Sequence, residues 1–180
     1  MPDYIHYFNL FIGLGVIVLQ ILSVGTLALL FLGPKESKFL GFIKNNFLWI
    51  GFIISLSAVL VSETYSEIIG WAPCVHCWID RIFIFPQAVI FGIALIRKEK
   101  NILWYSVGLT LFGLINSIYH LYIYYFSEGT APCDSSGVSC VQRLVSEFGG
   151  YISIPMNALS GFVALLVLAL VVIFYKKDKA

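Results

Sequence analysis

The chain has 180 residues, of which 59% are hydrophobic and only 12% charged, and it carries a formal net charge of +1 with a mean hydropathy of +0.91. That composition excludes an ordinary soluble domain, and the few charges form short clusters with no basic face to invite nucleic acid. It describes a protein of the bilayer.

Within lipid a helix satisfies its own backbone hydrogen bonds, and about 20 apolar residues suffice to cross the hydrocarbon. Five stretches qualify, at 7–32, 47–69, 79–96, 102–126 and 152–175. The first lacks a basic leader, exceeds the length of a signal-peptide core and is followed by no small-residue cleavage site, so it reads as a span. Asp3 precedes it and Lys35, Lys38 and Lys44 follow it, which sets the N-terminus outside. The spans then alternate, making 33–46, 97–101 and 176–180 cytoplasmic. Lys35, Lys38, Lys44, Arg97, Lys98, Lys100, Lys176, Lys177 and Lys179 fall there, and only Arg81 and Arg143 lie outside. This distribution obeys the positive-inside bias and predicts a multi-pass protein of the cell (inner or plasma) membrane, with extracytoplasmic cysteine loops and a cytoplasmic C-terminus.

The second span leads into Trp71-Ala72-Pro73-Cys74-Val75-His76-Cys77-Trp78-Ile79-Asp80-Arg81, a C-x-x-C at the outer end of a helix. A thiol there faces unpaired backbone N–H groups and the positive end of the helix dipole, both of which favour the thiolate. Arg81, four residues past Cys77, falls one turn away on the same face and adds positive charge. An arginine at this depth is a functional candidate, with snorkelling to lipid phosphate as its simpler role. Glu63 and Glu67, one turn apart at the end of the second span, have no firm assignment. His6, Trp71 and Trp78 are read as interfacial residues.

In the fourth span, Asn116 and His120 share a face near the outer end. They are positioned to line a pocket where the histidine bonds a quinone carbonyl or delivers protons, or simply to hold two helices together. The long outer loop that follows contains Cys133 and Cys140 among Gly, Pro, Ser and Asp, a composition that breaks helix and leaves the segment accessible to a soluble partner. Residues 141–148, with Leu144, Val145 and Phe148 at helical spacing, predict a short surface helix. All four cysteines thus lie on the oxidising side, either as redox pairs or as two structural bridges. Zinc is a further reading of the C-x-x-C, but it needs about four ligands; Cys133 and Cys140, or His76, could contribute, yet the six residues between Cys133 and Cys140 fit the usual spacing loosely.

Taken with Pro86 inside the third span, Ser117-Ile118-Tyr119-His120 in the fourth and Ile152-Ser153-Ile154-Pro155-Met156 opening the last, the Cys-Val-His-Cys-Trp-Ile-Asp-Arg run resembles the DsbB family over 47–175, most nearly its BdbC-type members. The resemblance implies an all-α integral membrane fold. A four-helix quinone-binding bundle would occupy 47–180, and 1–46 would add one N-terminal transmembrane helix and a cytoplasmic loop. It implies catalysis by Cys74, Cys77, Cys133 and Cys140, with Arg81, His120 and Asn116 toward a quinone, either ubiquinone or menaquinone. Cys77 would be the thiolate at the quinone, with Arg81 supporting both, and Cys74 would exchange with the second pair. Cys133 would take the mixed disulfide with a DsbA-like thioredoxin-fold partner and Cys140 would resolve it. The extra first span and the six residues between Cys133 and Cys140 depart from the better-known pattern. Two other readings are a vitamin K epoxide reductase-like quinone enzyme, whose cysteine pairs come in the opposite order, and a membrane scaffold with permanent bridges.

Overall fold

A computed structural model describes residues 3–34, 37–127 and 138–175, and among them are six α-helices. They are α1 (Asp3–Leu32), α2 (Lys38–Asn45), α3 (Phe47–Glu63), α4 (Val75–Arg97), α5 (Leu103–Phe126) and α6 (Ile154–Phe174). Among the described residues there is no strand, only an isolated antiparallel bridge between Glu147 and Ile152. α1, α3 with its continuation to Ile68, α4, α5 and α6 are each long and apolar enough to cross a membrane.

The helices α3 to α6 close into a ring in which α3 packs on α4, α4 on α5, α5 on α6 and α6 on α3. α4 and α6 are therefore diagonal neighbours. Phe47, Ile84, Phe91, Phe162, Leu165 and Leu168 fill the centre. Large apolar side chains such as Trp49, Ile82, Trp104, Phe112, Ile115 and Phe126 point outward. In water that exterior would be an aggregation surface; against lipid it is the ordinary finish of a spanning bundle.

Because the apolar exterior does little to hold such helices together, small residues and buried polar contacts matter more. Gln87 of α4, fully buried, accepts hydrogen bonds from Ser106 (2.7 Å) and Thr110 (3.2 Å) of α5. Gly51 gives the Phe91 ring its place, and Gly113 does the same for Phe162.

α1 lies against α6. Its buried stripe of Ile5, Asn9, Gly13, Ser23 and Thr26 follows helical spacing. Gln20 donates to Ser160 (2.8 Å), and Asn9 accepts from Tyr65 (2.9 Å). α2 tucks under the other end, where Leu40 packs with Val171 and Tyr175.

Three features differ from the sequence expectation. The segment read as a plain loop at 33–46 contains α2, nucleated by Ser37, whose hydroxyl caps the Leu40 N–H. The surface helix expected at 141–148 does not form, and the chain runs irregularly instead. Phe148, Gly149 and Gly150 have φ of 52°, 71° and 88°, which no right-handed helix admits, and Val145 is pulled inward against Tyr65 and Ile152. Finally, the end of the second span widens into a π turn, Thr64–Ile68. Lys35 and the tail from Lys176 lie outside the described residues.

A Cβ placed on Gly113 would come within 2.3 Å of the Phe162 ring, which is buried and cannot swing away. Gly113→Ala should therefore cost about 1–3 kcal/mol through overpacking and lower the thermal midpoint in detergent. Gly108→Ala, where nothing lies within 4 Å, should leave the midpoint unchanged or raise it; equal effects at the two sites would contradict the packing described.

Candidate active site

The C-x-x-C begins α4. Cys74 is the N-cap residue, extended at φ −73° and ψ 172°, and its sulfur accepts the Cys77 backbone N–H at 3.4 Å. The helix thus starts four residues before the apolar run does, because a sulfur at the cap satisfies a backbone donor that would otherwise be orphaned. The two sulfurs stand 3.0 Å apart as free thiols.

Charge-stabilising groups converge on Cys74. Its sulfur meets the Cys77 thiol and lies 3.7 Å from Nε2 of His120. Together with the cap N–H and the histidine charge, these contacts hold the Cys74 thiol well below its ordinary pKa, the Cys77 hydrogen bond contributing most and burial opposing it. The Cys74 sulfur, at the cap, is thus the better-supported thiolate in the reduced pair; the family resemblance implies a different role for Cys77, as the thiolate at the quinone.

Behind the histidine sits Asp80, a residue to which the sequence gave no task. It is buried, and its Oδ1 accepts from Asn116 Nδ2 (2.8 Å) and Ser117 Oγ (2.9 Å) while Oδ2 faces His120 Nδ1 at 3.9 Å. An acidic residue inside an apolar span was the available signal. Asn116 also accepts from His76 Nδ1 (2.8 Å) and donates to the His76 carbonyl (3.1 Å), so it braces the start of α4 and is not among the residues lining the cavity described next.

Arg81 points the other way, into α3. Its Nε donates to Ser62 Oγ (2.9 Å) and its Nη2 to the Ser62 carbonyl (3.1 Å) and Ser66 Oγ (2.7 Å), with Glu63 at 3.7 Å. The guanidinium also rests over the Trp78 ring, 5.0 Å from its centroid. Its side chain is buried at 9% exposure, so it does not snorkel. Glu63 gains an ion-pair partner; Glu67 stays at the surface.

Between these walls lies a cavity of about 150 Å³, lined by Cys74, Cys77, Arg81 and His120, with Ile84 and Phe162 among its apolar surfaces. An apolar cleft with a few convergent polar groups suits a flat, hydrophobic ligand that has polar ends, as a quinone ring does. Among the described residues His120 Nδ1 has no hydrogen-bond partner, and His120 and Arg81 share the cavity lining. Trp71, expected at the headgroups, instead stacks on Tyr65 at 5.3 Å and lines the cavity. Trp78 remains half-exposed, and His6 is exposed with Nδ1 3.1 Å from Glu147.

The segment from Val138 that leads into α6 reaches the same place. Cys140 is buried and disulfide-bonded, and it shares a cluster with Cys74 and Ile123. Cys133 lies outside the described residues. Cys74, Cys77 and His120 also bring three ligand atoms within 4.8 Å of one another, one short of a closed structural zinc site, and His76 is occupied by Asn116.

A family model described as disulfide bond formation protein DsbB matches residues 44–174. A probable disulfide formation protein C 2 of Bacillus anthracis is 36% identical over 126 residues, covering 70% of this chain and 89% of the relative. An SPbeta prophage-derived disulfide bond formation protein B of Bacillus subtilis is 35% identical over 115 residues, 64% of this chain and 76% of the relative. A probable disulfide formation protein of Metapseudomonas resinovorans is 30% identical over 129 residues, 71% and 89% respectively. No solved structure matches the chain.

The depressed Cys74 pKa makes a pH test. A thiolate reacts and a thiol does not, so an ordinary cysteine loses roughly tenfold in alkylation rate per pH unit below its pKa. In the reduced protein, iodoacetamide labelling of Cys74 is slow because the sulfur is buried, but its relative rate, mapped by mass spectrometry, should stay nearly level from pH 8.5 down to 6.5. A decline of ordinary steepness over that interval would show that its neighbours do not hold the charge.

Proposed function

The chain belongs to the disulfide bond formation protein DsbB family, and from that premise we propose that it is a membrane thiol oxidase that supports protein disulfide formation. It reoxidises an extracytoplasmic DsbA-like thioredoxin-fold protein and passes the electrons to a membrane quinone, ubiquinone or menaquinone. One observation carries the reading: Cys74 packs against Cys140 of the segment before α6, and both line the same apolar cleft as Cys77.

Electrons enter as the partner dithiol exchanges with the Cys133–Cys140 pair, Cys133 taking the mixed disulfide. Cys140, buried beside Cys74, attacks the Cys74–Cys77 disulfide at Cys74 and frees the Cys77 sulfur toward the cavity. The partner's second thiol displaces Cys133 from the mixed disulfide and the partner leaves oxidised; the freed Cys133 then attacks Cys140, restoring the loop disulfide and releasing Cys74 as the thiolate that His120 and the helix cap stabilise. When the Cys74–Cys77 pair closes again it gives up two electrons and two protons. A bound quinone supplies the two-electron, two-proton acceptor for that closure.

Arg81 and His120 would hold the ring's polar edge, with Asn116 acting on the site through Asp80 and His76. Segment 1–46 is read as an addition to a bundle at 47–180. The basic-residue distribution supports an extracytoplasmic N-terminus and cysteine loops.

The direct test mixes purified protein, quinone and a reduced thioredoxin-fold dithiol protein, and follows quinol. Turnover should require the partner and vanish in Cys77→Ser. If no turnover arises while every cysteine resists mild reductant, the bridges are structural and the scaffold reading replaces this one.

Two variants separate the halves of the relay. Arg81→Met should lower quinone reduction about a hundredfold, on the scale of losing a preorganised charged donor, yet leave exchange between the loop pair and its partner intact; unchanged quinone kinetics would remove Arg81 from the site. His120→Ala should change the pH dependence of quinone reduction, because the titrating group beside Cys74 is gone. A superimposable pH profile would reduce the histidine to a packing role.

A further inference from the structure

One polar side chain on the cavity wall has no task in this scheme. Asn157, one turn into α6, lines the cavity, and both its amide nitrogen and its amide oxygen are buried with no hydrogen-bond partner among the described residues. Folded proteins leave few such groups, and a primary amide desolvated at both ends is unfavourable unless something else bonds it. Its polar neighbours on the helix are satisfied. Ser153 caps the Met156 N–H, and Ser160 donates to the Met156 carbonyl while accepting from Gln20. Asn157 alone among them is left facing the cleft.

Its place in the ring of helices gives the amide a direction. Cys77 and Arg81 stand on α4, and α6 is diagonal to α4 across the bundle, so Asn157 approaches the cavity from the wall opposite the reacting sulfur. A para-quinone carries carbonyl oxygens at opposite ends of a flat ring. We propose that Asn157 is the second anchor of that ring, hydrogen-bonding the carbonyl oxygen that points away from Cys77.

An amide suits this post better than a titratable group. Its Nδ2–H donates to the carbonyl of the quinone. Once two electrons from the cysteine pair and two protons have turned that carbonyl into a hydroxyl, its Oδ1 accepts from the new O–H. The residue therefore follows the redox change by using its other end, with no change of its own protonation. Oxygen and nitrogen ends exchange by a simple flip of the side chain.

The inference rests on the quinone reading, and the experiment distinguishes failure of one from failure of the other. Full-length protein carrying Cys77→Ser, so that no electrons are transferred, is titrated in detergent with ubiquinone-1 and with menadione. Binding is read from quenching of tryptophan fluorescence, since Trp71 lines the cavity. Adding Asn157→Leu should raise the Kd about tenfold, equivalent to about 1.4 kcal/mol. In the absence of quinone the same change should hold or raise the thermal midpoint, because it removes an unpaired buried amide.

An unchanged Kd beside normal binding by the Asn157 protein overturns the assignment while leaving the quinone reading standing. A lowered midpoint with an unchanged Kd overturns it in favour of a packing role. Absence of saturable quenching by either quinone in the Asn157 protein overturns both. Should the leucine variant fail to fold, Asn157→Ala provides the same comparison.

Discussion

Two successive residues of α4, Asp80 and Arg81, are buried with opposite charges and face different neighbours. Consecutive helical positions are about 100° apart, so the carboxylate reaches Asn116, Ser117 and His120 on α5 while the guanidinium reaches Ser62 on α3 and Ser66 in the π turn that continues it. Neither charge is tolerable in an apolar interior without those partners. The requirement works in both directions: it fixes the rotation of α4 between its neighbours and, one turn above, the direction in which the C-x-x-C opens. The cavity, the histidine beside Cys74 and the covering loop all take their places from that rotation.

What the sequence disclosed follows from the range over which each signal acts. The five spans were legible because hydrophobicity over about 20 residues is a local property that lipid enforces. The C-x-x-C at a helix start was legible because motif and cap lie within one turn of one helix, whereas Arg81, expected beside Cys77, turns to Ser62 and Ser66. Asp80 stood in the same motif, yet its partners Asn116, Ser117 and His120 are 36 to 40 positions away, and only the packing of α4 on α5 shows what the carboxylate is for. Asn157 was silent for the same reason, since a partnerless amide is visible only once its surroundings exist.

Local pattern also misled. Leu144, Val145 and Phe148 have the spacing of an amphipathic helix, but Val145 is drawn into the cluster of Tyr65 and Ile152, and the glycines that follow turn the chain through left-handed conformations. The apolar positions are used by tertiary packing, not by a helical face. α2 was missed conversely, because eight residues are too few for periodicity to speak, and Ser37 acts as a cap only when the turn after it is docked against Tyr175.

The burial of Cys74 bears on which reductants the protein can ignore. With Cys74 at 5% exposure and Cys140 at 3%, the junction between the two pairs is screened by side chains, so a small thiol drifting in the surrounding medium has little sulfur to strike. In the proposed relay that screening acts as electrical insulation. Current is drawn through the loop terminal and is not shorted at mid-circuit, so the oxidising power of the membrane is reserved for whichever partner can dock well enough to use the terminal provided.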